Sequence, residues 1–175
     1  MDLHLITSKD DLRPPLKYIK VTKENCVATN AHVIGVIPTT DIFSDEFIEK
    51  VPEEGFILHP EDWKKLKNNT DIVWKSNDVI KISYSKKRDA LIEIESESNI
   101  GKFPNWEAIL PSEYAETQPL PSIGINMKLA YDLQKAIGSD KGLKLDFYGV
   151  AKGVVVKPIR STSKAYGLIM PIITS

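Results

Sequence analysis

Three histidines, one cysteine and a few adjacent acids are the side chains of this 175-residue sequence that could carry catalysis or hold a metal. His4, His32 and His59 never fall into the one-turn pairing that puts two imidazoles on one metal, and no glycine-rich phosphate loop or nucleophile-elbow serine occurs. The acid pairs Asp10–Asp11 and Glu53–Glu54 sit in turn-like sequence. A single cysteine, Cys26, excludes an intramolecular disulfide framework and a multi-cysteine zinc site; its Val-Ala-Thr neighbours mark it as a small core residue. The sequence thus implies no enzyme, no metal and no cofactor. The chemistry left is charge and apolar contact: lysines at 64, 65, 67, 128, 135 and 141, and an unusually apolar connector at residues 101–111.

Two helices must position those lysines. From Pro60 to about Lys67, Trp63 and Leu66 fall on one side and Lys64, Lys65 and Lys67 largely on the other, with Pro60 in the first helical position. From about Asn126 to Ile137 the pattern returns, with Leu129, Ala130, Leu133 and Ile137 inward, Lys128 and Lys135 outward and Asn126 as cap. Each helix follows a short apolar run (GFILH, SIGIN) and precedes two strand-like runs (DIVWKS and DVIKISYS; GLKLDFYG and KGVVVKPI). Setting Leu58 against Ile125 brings the copies into register, giving a strand-helix-strand-strand unit repeated about every 67 to 75 positions. Two readings of the lysine faces stay open: solvated helix surfaces, or two faces turned to one polyanion.

Between the copies lies GKFPNWEAILP, whose Phe103, Trp106, Ile109 and Leu110 require that it lie against protein. Pro104 and Pro111 stiffen it and hold the preceding residues extended, so it reads as a strap. Ahead of the first copy the chain reads as a β-meander: a short strand over Leu3 to Thr7, a turn at SKDDLRPP where two prolines forbid a helix, then strands at LKYIKVT, NCVATN and HVIGVIP, with KEN as a tight turn. Ser44 caps a short helical turn at DEFIEKV.

Composition sets the frame: 42% hydrophobic and 27% charged residues suit one globular domain or a tight pair of small ones. Lys and Arg number 23 against 24 acids, so any nucleic-acid contact must use a local face. The N-terminus has neither a basic start nor a long apolar run, and no window approaches the ~18 apolar residues of a membrane span. The expectation is a soluble cytoplasmic protein without membrane contact.

Four stretches then line up: NCVATNAHVIGV (25–36), GKFPNWEAILP (101–111), IGINMKLAYDLQKAI (123–137) and AYGLIMPI (165–172). In this order they resemble landmarks of the bacterial DNA polymerase III beta subunit, the sliding clamp, whose segments are ATDGHRLA-like, G-x-FPDY-x-x-VLP-like, FN-x-x-YL-like and YVVMPM-like; LRPPLKYIKV resembles the strand before the first. The resemblance implies an α+β DNA clamp fold of repeated strand-helix-strand-strand units, antiparallel sheets outside and helices on one face. It implies a processivity factor that holds duplex DNA without sequence specificity and tethers a DNA polymerase or other clamp-binding proteins. Lysines on inward helices would attract phosphates and still slide, since no base-edge contact must break. Acidic outer stretches such as EIESES (93–98) would steer DNA inward.

The resemblance also implies a groove for short linear motifs. Carried over by residue, it takes Thr29, Ala31, His32, Val33 and Ile34 from the first landmark and Pro104, Ala108 and Ile109 from the strap. The helix start adds Asn126 and Leu129, the strand at 154 adds Gly153, and the tail adds Leu168, Met170, Pro171 and Ile172. Core packing is the competing reading for each residue singly. Against the family pattern, residues 1–111 resemble the middle domain without its first helix, and residues 112–175 the final half of the last domain. Three units per chain could close a twelve-unit ring as a tetramer through self-association, or the half-finished domain could pack its edge in another way. The other class consistent with the sequence is a clamp-derived peptide-binding module, or decoy, that does not encircle DNA. VIGV after His32, where the family has arginine and leucine, is a further departure.

Overall fold

A computed structural model describes residues 1–67, 72–76, 79–85, 88–94, 97–111, 123–149, 152–159 and 161–172. In chain order the elements are β1 (Ile19–Val21), β2 (Asn25–Thr29), β3 (Val33–Pro38), α1 (Asp45–Glu49), β4 (Phe56–Leu58), α2 (Pro60–Leu66), β5 (Ile72–Ser76), β6 (Val79–Ser85), β7 (Arg88–Glu93), α3 (Glu97–Ile100), α4 (Met127–Ala136), β8 (Leu143–Asp146), β9 (Val154–Pro158) and β10 (Tyr166–Ile169). They form an antiparallel seven-stranded sheet, β4-β1-β2-β3-β10-β9-β8, and a three-stranded one, β5-β6-β7. Both halves of the chain therefore contribute to one sheet, joined where Val33–Val36 pair with Tyr166–Ile169.

The two faces of the large sheet bury different partners, because successive strand residues point to opposite sides. Cys26 and Ala28 of β2, Val33 and Ile37 of β3, Val156 of β9 and Ile169 of β10 pack with Leu3, Ile6, Trp63, Leu66, Leu133 and Ile137, the helix side. Val27, Ile34, Val36, Val155 and Leu168 point the other way and are covered by Phe103, with Ile100, Trp106 and Tyr166 around it. The strap thus lies on the protein, as its apolarity requires. Phe103 is its buried anchor, a burial that contributes about 1.5–3 kcal/mol. Close approach on the helix side depends on two glycines paired across strands, Gly35 and Gly167. A Cβ on Gly167 would lie 2.6 Å from both the Ile34 carbonyl oxygen and Leu133 Cδ1, and one on Gly35 would lie 2.7 Å from Ile6 Cδ1.

Local chemistry sets the helix ends. Ser44 Oγ accepts a hydrogen bond from the Phe47 amide at the start of α1 (3.4 Å), and Asn126 Oδ1 accepts from Lys128 and Leu129 at the start of α4 (3.0 and 3.3 Å). At α2 the cap is His59, whose Nδ1 accepts from the Glu61 amide, ahead of Pro60. Both repeat copies take the expected order of strand, helix and two strands, the second copy's opening strand reduced to one bridge between Gly124 and Ile172.

Two expectations for the first residues are corrected. Leu3 to Thr7 is not a strand: Leu3–Leu5 is a 3-10 turn wedged between α2 and α4, burying Leu3 and Ile6 and held where the Asp2 amide donates to the carbonyls of Lys135 and Ala136. Alternation over five residues could not reveal that two helices claim both apolar side chains. Nor do the prolines forbid helical structure: Pro14–Lys17 is a 3-10 turn with proline in its first two positions, where no amide is needed, and the following strand shrinks to Ile19–Val21. A strand not foreseen, β7 at Arg88–Glu93, completes the small sheet. Residues 95 and 96 of the acidic run 93–98 lie outside the described residues.

Candidate functional site

The site is built around the turn between β2 and β3. Thr29 Oγ1 donates to the Val33 carbonyl at 2.8 Å and accepts from the Ala31 amide at 3.1 Å, while Asn30 Oδ1 accepts from the amides of His32 (3.0 Å) and Val33 (3.1 Å). These bonds hold Ala31 at φ 74°, in the left-handed region that costs a residue with a Cβ about 1–2 kcal/mol. The turn stands beside two other segments: the Pro14–Lys17 turn with Leu12 and Arg13 ahead of it, and the strap.

Between them opens a cleft of about 480 Å³, walled by Leu12 to Leu16, by Thr29, Ala31 and Ile34, and by Lys102, Pro104, Asn105, Trp106 and Ile109. It is mostly apolar, with Ile109 54% exposed on the strap and Leu12 90% exposed on the opposite wall. Trp106 stands half-buried, its ring 6.3 Å from that of Tyr166. Burial, with the Glu107 charge beside it, raises the Tyr166 hydroxyl to about 12, so it is a neutral hydrogen-bonding group at physiological pH. Such a cavity, apolar with a few polar groups at its edge, suits an extended peptide with a large apolar side chain.

Five of the residues expected to line a groove meet in this cleft: Thr29, Ala31, Ile34, Pro104 and Ile109. Val33, next to Ile34, points to the helix side and is core. Leu168 is buried beneath the strap, and Gly153 is pressed against it, a Cβ there meeting Leu168 at 2.7 Å. Three more candidates, Met170, Pro171 and Ile172, form a ledge past the end of β10. The Met170 amide donates to the His32 carbonyl at 2.9 Å and the Ile172 amide to the Gly124 carbonyl at 2.8 Å, leaving Met170 and Ile172 40% and 51% exposed, with Pro171 half-buried between them. His32 and Ala108 are exposed, Asn126 is spent on its cap, and Leu129 packs partly into the core. Sequence reasoning missed the wall at Leu12–Leu16. Its signal was present: a Leu-Arg-Pro-Pro-Leu run is as apolar for a connector as the strap is.

Lys64, Lys65, Lys67, Lys128 and Lys135 belong to or cap α2 and α4, Lys141 lies in the turn after α4, and none of the six lines the cleft. Lys64, Lys65, Lys128, Lys135 and Lys141 are exposed and Lys67 is half-buried. Lys64 pairs with Glu61 and Lys65 with Asp62, each at 2.6 Å, Lys128 pairs with Asp132 at 2.8 Å, and Lys67 pairs with Asp2. Lys135 lies over the Tyr131 ring, 4.5 Å from its centroid. His4, between these helices, is held below its usual value by burial and then by Lys64. Cys26 is fully enclosed, which pushes its thiol up to about 12 and keeps it inert. Among the described residues no cluster of three or more histidine, cysteine, aspartate or glutamate side chains could hold a metal, and no helix is long and apolar enough to cross a membrane.

No protein-family model matches the sequence, and no curated protein matches it. Solved structures do. The DNA polymerase III beta subunit of Borrelia burgdorferi matches with a TM-score of 0.69 at 11% identity, over 99% of this chain and 59% of its own. The beta sliding clamp of C. crescentus matches with 0.70 at 14% identity, over 99% and 62%, and the sliding clamp of Bacillus subtilis with 0.64 at 15%, over 97% and 60%. At these identities the likeness speaks for the fold, and the chain spans about three-fifths of the length of each. With α2 and α4 on one side of its large antiparallel sheet and the strap on the other, this chain has the fold of bacterial DNA polymerase III beta subunits, the sliding-clamp fold.

Proposed function

We propose that this protein is a non-catalytic, clamp-like scaffold of DNA replication: it seats a short linear motif of a DNA polymerase or another clamp-binding protein in the cleft at Trp106, and turns α2 and α4 toward duplex DNA. The observation that carries the reading is the apolar cleft between the strap, the Thr29–Val33 turn and the Leu12–Leu16 wall, in a fold shared with sliding clamps. Self-association into a ring would complete the enclosure of DNA, and lysine faces without base-reading geometry would let it slide. A second reading, a peptide-binding module that does not encircle DNA, is favoured by one observation. Four of the six candidate lysines already hold a carboxylate, which weakens the attraction to phosphate.

The experiment is a calorimetric titration of the folded protein with a capped peptide carrying a leucine and an aromatic anchor. Micromolar binding is expected. Ile109→Lys, on an exposed position that folding tolerates, should weaken binding at least about thirtyfold, because a buried anchor in a hot spot is worth about 2 kcal/mol or more. Absence of heat at millimolar peptide, or equal binding by Ile109→Lys, overturns the reading.

A further inference from the structure

We infer that the cleft selects peptides whose apolar anchor is flanked on one side by acidic side chains, and that Arg13 and Lys102 set this preference. The inference rests on the cleft being a peptide site and names the class of peptide it takes. Arg13 and Lys102 approach from separate walls, one from the segment ahead of Pro14 and one from the strap, and both are exposed. Among the described residues, no aspartate or glutamate lines the cleft. The acids nearest Arg13 in sequence are engaged elsewhere: Asp11 pairs with Lys17, and Asp10 Oδ1 accepts the Leu12 amide at 2.9 Å; of those nearest Lys102 among the described residues, Glu97 pairs with Lys20 and Glu107 lines a separate hollow. An apolar floor under two cations is complementary to an anchor next to a carboxylate. The chain's overall charge of −1 supplies no general attraction for anions, so the preference is local.

Trp106 gives the preference a direction. Its ring walls the cationic cleft on one side, and on the other it borders a smaller hollow of about 240 Å³ that Glu24, Glu53 and Glu107 line with Lys23. Lys23 is already paired with Glu53. A peptide acidic beyond the tryptophan would meet this glutamate-lined hollow, so acid belongs on the Arg13 and Lys102 side of the anchor alone. The occupant is accordingly an internal acidic-apolar motif of a partner protein, read through its side chains.

The test is fluorescence anisotropy with capped, amidated peptides that share one leucine-aromatic anchor and carry aspartates before it, aspartates after it, asparagines in both places or lysines in both places. End capping removes the terminal carboxylate as a source of charge. One aspartate arrangement, and only one, should bind about fivefold tighter per charge pair than the asparagine peptide at low salt, and the gain should fade at about 1 M salt. Arg13→Glu with Lys102→Glu should invert the order in favour of lysine, and Arg13→Gln with Lys102→Gln should level it. Equal binding of all peptides, or an order unchanged by the charge reversal, overturns this inference and leaves the peptide site standing. Failure of every peptide to bind overturns both.

Discussion

If the helix side holds duplex DNA as proposed, the salt dependence of binding measures how many of its lysines reach phosphate. If all six candidates each neutralised one phosphate, the log–log slope of affinity against salt would be about −5.4, and a fourfold rise in salt would cost roughly 1,800-fold in affinity. The ion pairs lower that expectation. Glu61, Asp62, Asp2 and Asp132 sit on Lys64, Lys65, Lys67 and Lys128, so a phosphate taking any of these ammonium groups must displace a carboxylate already in place. Lys135 and Lys141 carry no such carboxylate partner among the described residues, and two contacts give a slope of about −1.8 and a loss near twelvefold over the same salt range. Anisotropy of a labelled duplex between about 50 and 200 mM salt reads this directly. Lys135→Glu with Lys141→Glu should flatten the slope to near zero, while Lys64→Glu with Lys65→Glu should leave it nearly unchanged. A wild-type slope near about −5, or one indifferent to the Lys135 and Lys141 reversal, would refute the reasoning that the paired lysines are withheld from DNA.

Three further outcomes test the scaffold. Gly167→Ala puts a Cβ 2.6 Å from both the Ile34 carbonyl oxygen and Leu133 Cδ1; since a backbone oxygen cannot move aside, the cost should approach about 3 kcal/mol, lowering Tm by roughly 6–12 °C in a thermal scan. Gly35→Ala, which meets the tip of the Ile6 side chain at 2.7 Å and no backbone atom as close, should cost less. His4, lowered first by burial and then by Lys64, binds its proton more weakly folded than unfolded. Its contribution is present above about pH 6.5 and lost as pH falls through the folded value. The urea midpoint should therefore drop between about pH 7.5 and 5 more in the native protein than in His4→Gln, and identical pH profiles would remove His4 as the cause.

What was legible in the sequence was what local chemistry decides. Asn126 with its period-3.6 leucines fixes α4, Ser44 caps α1, and the apolar content of the strap requires cover, which Phe103 finds on the sheet. The cleft was half-legible. Thr29, Ile34, Pro104 and Ile109 carry it, but grouping Val33 with Ile34 ignored the pleat: neighbours on a strand face opposite ways, and one of the two had to be core. Leu3 and Leu12–Leu16 were misread because their roles depend on distant partners. Leu3 turns helical between α2 and α4, and Pro14–Leu16 becomes the wall of a cleft only once the strap and the Thr29 turn come to stand beside it.

The place of β10 in the sheet has a kinetic consequence. It is an interior strand, inserted between β3 and β9, and its partner Val36 lies roughly 130 residues earlier in the chain. Hairpins such as β2–β3 can close within microseconds, but joining β3 to β10 must wait for a long loop to be ordered, the kind of non-local pairing that slows folding. During synthesis, the strand edge of β3 is left bare until residues 166–169 emerge, and a bare edge invites pairing with other chains. Leu168, buried under the strap, belongs to the same late strand, so the sheet beside the cleft is finished only when β10 slots in between β3 and β9.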